Sequence, residues 1–220
     1  MEPLSQQTYV ATNKGRSRPE RELGAVTFPI ANILTFSRII MIPLVVVLFY
    51  LPYSWSDPAA AVVFILAALT DSLDGYLARR LGQISALGAF LDPVADKLMV
   101  ATALILLVAH QPPQLEFIVF NPHVLITLTA MVIVGREITI SALREWMAEV
   151  GARGKVAVSS LGKAKTIFQM TGLSMMLFRS DVWFIPAFEL GFYCLVVAAA
   201  LTLWSMVVYL RAAWPELMKS

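Results

Sequence analysis

A chain of 220 residues that is 58% hydrophobic and 15% charged, with a mean hydropathy of +0.72, carries more apolar surface than a soluble domain of its length buries. Its formal net charge of +2 gives no electrostatic footprint for nucleic acid, and its one cysteine, Cys194, excludes an intrachain disulfide and a thiol-pair metal site. The composition is that of one integral membrane domain, which the apolar segments along the chain make all-α in expectation.

Residues 1–27 are polar, with charges of both signs, and lack the cationic start, short apolar core and small-residue cleavage site of a signal peptide. They are expected to form a cytoplasmic tail that can lie on anionic lipid. Six windows of about 20 mostly apolar residues, the length that crosses about 30 Å of hydrocarbon, follow near 31–51, 58–78, 91–110, 123–143, 165–180 and 184–210. Apolar residues occur on all faces of these windows, so the expected elements are buried or lipid-facing helices. Residues 28–214 are then expected to form a six-helix transmembrane domain, and 215–220 a short cytoplasmic C-terminus. Pro52, Pro58, Pro112, Pro113 and Pro122 mark the connections on one side. Lys14, Arg16, Arg18, Arg21, Arg79, Arg80, Arg144, Arg153, Lys155, Lys163, Lys165, Arg211 and Lys219 all fall on the other, whereas the proline-marked side has only Arg179. Cations accumulate on the cytoplasmic side of a membrane, which predicts both termini there.

Carboxylates are the unexpected residues in such a chain. Asp71 and Asp74 lie i, i+3 on the second helix and Asp92 and Asp96 lie i, i+4 on the third, so each pair shares a helix face. The turn between these helices is short, and the two pairs can meet at the cytoplasmic border. Two like charges about 5 Å apart at an effective dielectric of 20 repel by roughly 3 kcal/mol, and the C-terminal end of the second helix disfavours anions further. Arg79, Arg80 and Lys97 offset part of this. Mg²⁺ or Mn²⁺, which prefer an all-oxygen ligand set, would offset the rest, and two such ions suit phosphoryl or phosphatidyl transfer. Gly75, Ala78 and Gly82, with Gly88 opposite, make a smooth surface for a backbone or a flat ligand. Taken singly, Asp92 before Pro93 has the pattern of a helix N-cap, and Asp71 and Asp74 that of a solvated helix end paired with Arg79 or Arg80. Together, carboxylates at a membrane border point to function.

The pattern Asp71-x2-Asp74-Gly75-x2-Ala78-Arg79-x8-Gly88-x3-Asp92-x3-Asp96 resembles the motif of the CDP-alcohol phosphotransferases in every position. The resemblance implies six transmembrane helices with a cytoplasmic site in a bacterial inner membrane. It implies that Asp71, Asp74 and Asp92 bind two divalent cations that hold the CDP pyrophosphate, and that Asp96, at the edge of the same metal cluster, deprotonates the acceptor hydroxyl. Gly75 and Ala78 would make room for the nucleotide and Arg79 would contact its phosphates, with Gly88 facing them. A homodimer is a further implication, since members are often dimeric. The stretches NILTFSRIIMIPL at 32–44, GREITISALREWMAEVG at 135–151 and VAVSSLGKAKTIFQM at 156–170 are similar to the branch of that family that makes phosphatidylglycerol phosphate from CDP-diacylglycerol and sn-glycerol 3-phosphate. Only the tail departs from the family.

A phosphorylated acceptor requires cations. Arg136 and Arg144 are two turns apart on the fourth helix and share a side, and Lys163 and Lys165 open the fifth. Arginine suits a phosphate dianion through bidentate hydrogen bonds. Arg144, Lys163 and Lys165 also satisfy the positive-inside rule without any ligand, whereas Arg136, beside Glu137 and deep in an apolar run, does not. Asn32, Thr35 and Arg38 form a polar stripe on the first helix. Asn32 and Thr35 are expected at the CDP-lipid, Arg38 at the acceptor phosphate; helix packing is the competing role for Asn32 and Thr35. The rival activities are transfer to another acceptor, such as phosphatidylglycerol or phosphorylated inositol, and divalent-cation transport. Transporters hold their ions near the bilayer midplane on broken helices, whereas these aspartates lie at one border.

Overall fold

A computed structural model describes residues 30–81, 86–110, 112, 121–152, 160–180 and 185–218, without the side chains of 30–32, 72–81, 86–87, 89 and 160–161. The described residues form six helices: α1 (Ile30–Tyr50), α2 (Ser56–Leu81), α3 (Ala86–Ala109), α4 (Pro122–Glu149), α5 (Ser160–Phe178) and α6 (Ala187–Leu217). The shortest, α5 with 19 residues, is about 28 Å long at 1.5 Å per residue.

Local chemistry sets several ends. At the start of α4 the side chain of Asn121 accepts from the His123 N–H at 3.0 Å, with Pro122 at the first helical position where its missing N–H is harmless. At its end Gly151 turns to φ 72°, the Gly151 N–H bonds the Ala148 carbonyl and the Ala152 N–H bonds the Met147 carbonyl at 2.9 Å. This is a Schellman termination, which needs the left-handed residue that glycine supplies.

The core between the helices is made of Phe64, Met99, Leu104, Ile126, Ile133, Leu173, Met176 and Leu195, all buried. Outward, the bundle is also apolar: Ile40, Ile65, Ile105, Met131, Ile167 and Trp204 are exposed, at least one on every helix. Apolar exposure on this scale marks a protein surrounded by lipid. Segments in α1 (Ile33–Tyr50), α4 and α6 are long and apolar enough to cross a membrane, with mean hydropathies of 2.3, 1.7 and 2.0. The other three helices carry the carboxylates or the α5 lysines, and these residues lower their hydropathy.

Helices α5 and α6 meet backbone to backbone where Gly172 faces Gly191. A Cβ on either glycine would lie 2.8 Å from the other's carbonyl oxygen, so the backbones touch and only glycine fits on both sides. At the proline-marked end Arg179, at φ 56° just beyond α5, ties several helix ends together. It donates to Asp57 at 3.1 Å, meets the His110 ring nitrogen, and lies 5.3 Å over the Phe49 ring.

Several bounds differ from the sequence expectation, α4 running to Glu149 rather than about 143 and α6 to Leu217 rather than about 210. Helix α3 begins at Ala86 rather than near 91, so Pro93 lies inside it and Asp92 is no N-cap. Helix α5 begins at Ser160 rather than near 165, so Lys163 and Lys165 are helical.

Candidate active site

Asp71 lies ten residues before the end of α2 and Asp96 ten residues after the start of α3, each about 15 Å along its helix from the same end of the bundle. Between them stands Arg38 of α1. Its Nη1 donates to Asp96 Oδ1 at 2.7 Å and pairs with Asp71 Oδ1 at 2.9 Å. Arg38 is wholly buried, while the side chains of Asp71 and Asp96 are 37% and 45% exposed. The cation therefore forms the floor, and the two carboxylates above it are partly open to solvent. Asp92, one turn before Asp96, accepts from Thr35 Oγ1 at 2.5 Å.

The structure thus joins Arg38 and Thr35 of α1 directly to the aspartates of α2 and α3. Both are buried and turned to the aspartates, because a guanidinium and a hydroxyl inside an apolar bundle require acceptors and the carboxylates are the nearest. Gly88 is buried. The side chains of Asn32, Asp74, Ala78 and Arg79, and the surroundings of Gly75, lie outside the described residues.

A cavity of about 260 Å³ is lined by Asp71, Asp96 and Lys97 from α2 and α3 and by Arg136, Glu137, Arg144, Lys165, Gln169 and Tyr209 from α4, α5 and α6. Arg136 and Arg144 come together as the spacing predicts, and α6 holds both. Arg136 donates through Nη2 to Ser205 Oγ at 2.8 Å and lies 5.8 Å from the centre of the Tyr209 ring. Arg144 lies 5.2 Å from that ring and donates to its hydroxyl at 3.2 Å. Glu137 accepts from Arg136 Nη1 at 3.1 Å and from Lys165 Nζ, so two of the wall's cations share one anion. The Nε–H of Arg136 is buried without an acceptor among the described residues. Lys163 is exposed and does not line the cavity. Two residues at 100° per residue put it on the opposite face of α5 from Lys165.

Glu137, Gln169 and Tyr209 of this wall, and Ser205 that receives Arg136, escaped the sequence reading. Tyr209 and Ser205 sit in an apolar run that reads as plain lipid-facing helix, and Glu137 reads only as a neighbour of Arg136. Gln169 had a signal in its i+4 spacing from Lys165, which puts both on one face.

The donors around the aspartates are oxygens, several of them open to the cavity, and this set suits hard divalent cations. Among the described residues no three such side chains close around one point; Asp74, on the same helix as Asp71, would be needed to complete a set.

The CDP-alcohol phosphatidyltransferase family model matches residues 28–208. A Pseudomonas fluorescens protein named CDP-diacylglycerol–glycerol-3-phosphate 3-phosphatidyltransferase is 51% identical over 193 residues, which is 86% of this chain and 91% of that protein. Proteins of the same name from Escherichia coli strain K12 and Salmonella choleraesuis strain SC-B67 are 49% and 48% identical over 191 residues, 87% of this chain and 98% of theirs. With the aspartate motif on α2 and α3 and a match across nearly the whole helical bundle, the chain belongs to the CDP-alcohol phosphatidyltransferase family.

Proposed function

We propose that the protein transfers the phosphatidyl group of CDP-diacylglycerol to the 1-hydroxyl of sn-glycerol 3-phosphate, giving phosphatidylglycerol phosphate and CMP. The observation that carries this is one cavity lined both by Asp71 and Asp96 of α2 and α3 and by Arg136, Arg144 and Lys165 of α4 and α5. An acceptor that is a phosphate at one end and an alcohol at the other matches those two sets of side chains, and the names of the curated relatives specify the same pair of substrates.

Asp71, Asp74, Asp92 and Asp96 would hold two divalent cations, Mg²⁺ or Mn²⁺, which when bound supply positive charge to the pyrophosphate and to the leaving CMP. Arg136, Arg144 and Lys165 receive the acceptor phosphate, and the unpartnered Nε–H of Arg136 offers it a hydrogen bond. Asp96 takes the proton of the 1-hydroxyl, whose oxygen attacks the β-phosphorus, and CMP leaves. Arg38 holds Asp71 and Asp96 in place and is withdrawn from the acceptor set, as is Lys163. The nucleotide lies along Gly75, Ala78 and Arg79, with the lipid chains entering from the side of the bundle. Six spans, with the site and both termini on the cytoplasmic face of a bacterial inner membrane, fit the helix lengths, the apolar outer surface of all six helices and the distribution of Lys and Arg.

The test is metal-dependent CMP release by purified protein from CDP-diacylglycerol in mixed micelles. Glycerol 3-phosphate is compared there with serine, inositol phosphate and phosphatidylglycerol. Release with glycerol 3-phosphate alone is expected. Release with another acceptor only would keep the reaction class and overturn the substrate, and no release with any acceptor would overturn the reaction.

Tyr209 links this function to α6. Tyr209→Leu, which removes the ring between the two guanidiniums, is expected to raise the KM for glycerol 3-phosphate about tenfold and leave the KM for CDP-diacylglycerol unchanged. Tyr209→Phe keeps the ring and is expected to restore most of the loss. Equal changes in both KM values would reduce Tyr209 to a packing residue.

A further inference from the structure

Gln169 lies on α5 one turn beyond Lys165, about 6 Å further along the helix axis, and lines the same cavity. The residue is 5% exposed, and its Oε1 is buried with no hydrogen-bond partner among the described residues. A carboxamide used only for packing finds partners within the bundle, because an unmade hydrogen bond in an apolar interior is costly. The other neutral polar groups of the wall are already engaged: Thr166 donates to the Gly162 carbonyl at 3.0 Å, and the Tyr209 hydroxyl receives Arg144. The nearby Val100 and Met170 are apolar. Among the described residues of this wall, Gln169 therefore carries the buried neutral acceptor that has no partner.

We propose that Gln169 determines acceptor specificity by hydrogen-bonding the secondary hydroxyl of the glycerol phosphate. This rests on the acceptor assigned above. With the phosphate at Arg136 and Lys165 and the primary hydroxyl at Asp96, the middle carbon crosses the cavity between them, and its hydroxyl is the one group those charged residues leave without a partner. A hydroxyl suits either end of a carboxamide, since it donates to the oxygen and accepts from the nitrogen. A site built around such a bond rejects an analogue without the hydroxyl, because the buried amide is then left unpaired again.

The experiment compares glycerol 3-phosphate with 3-hydroxypropyl phosphate, which keeps the phosphate and the primary alcohol and lacks the secondary one. It reads kcat/KM for CMP release by the full-length protein. The wild type is expected to prefer glycerol 3-phosphate by roughly 10²-fold or more. In Gln169→Met, close in volume and unable to form the bond, the preference is expected to fall below about tenfold, with the KM for CDP-diacylglycerol unchanged. A wild-type preference below about tenfold, or an undiminished preference in Gln169→Met, overturns the assignment. Gln169→Leu, read in the same way, serves if the methionine variant fails to fold, and the wild-type ratio decides if both fail. Absence of CMP release with both acceptors would instead refute the reaction itself, a result distinct from loss of discrimination.

Discussion

Asp96→Asn is expected to lower CMP release by about 10²–10⁴-fold, the range associated with loss of a positioned general base, while the protein still folds and binds CDP-diacylglycerol. The amide keeps the shape of the carboxylate, and its oxygen can still accept from Arg38 Nη1, which in the wild type lies 2.7 Å from Asp96 Oδ1. What it loses is the charge and the ability to take a proton. Raising the divalent-cation concentration separates the two roles proposed for this residue: recovery of the rate would assign Asp96 to metal binding, and no recovery would leave it as the base. Activity within tenfold of wild type at ordinary metal concentration would sink both.

Arg38→Gln is expected to destabilise the protein by about 2–4 kcal/mol, measured by thermal or denaturant unfolding in detergent. Removing a buried cation leaves its partners uncompensated, and the lower part of the range reflects the access that Asp71 and Asp96 retain to solvent. Arg38→Lys should recover part of the loss through its charge. Full recovery is not expected, because one guanidinium nitrogen meets Asp96 at 2.7 Å and Asp71 at 2.9 Å and a more flexible ammonium does not hold that arrangement as firmly. A variant of normal stability with a raised KM for glycerol 3-phosphate would return Arg38 to the acceptor site, where its place in the sequence first suggested it.

That contrast shows what the chain makes legible. Helix count and the pairing of the aspartates are local properties: i, i+3 and i, i+4 spacing puts Asp71 with Asp74 and Asp92 with Asp96 whatever the surrounding fold. The shared side of Arg136 and Arg144 is visible for the same reason. Contacts between helices are not local. Arg38 meets carboxylates 33 and 58 residues away, and Tyr209 meets Arg144 across 65 residues, so neither partner could be chosen from spacing. Stripes of polar residues on α1 and cations on α4 and α5 all suggested an anion, and only the packing decides which anions are aspartates of the protein and which is a ligand. The starts of α3 and α5 were misplaced for a related reason. Apolar windows mark hydrocarbon-length segments, whereas helices continue into polar flanks, and Pro93 is accommodated inside α3.

The position of Arg38 also bears on how the membrane domain is assembled. The ribosome delivers the chain from its N-terminus, so the helix bearing this cation emerges before the helices bearing Asp71, Asp92 and Asp96. A carboxylate entering a bilayer alone faces a penalty of roughly 2.5–3.5 kcal/mol on insertion scales. Were the helices to insert in that order, each acidic helix would meet the Arg38 cation of α1 already in place. The order of residues along the chain would thus also be an order of charge neutralisation, α1 bringing the cation that the carboxylates of α2 and α3 then meet.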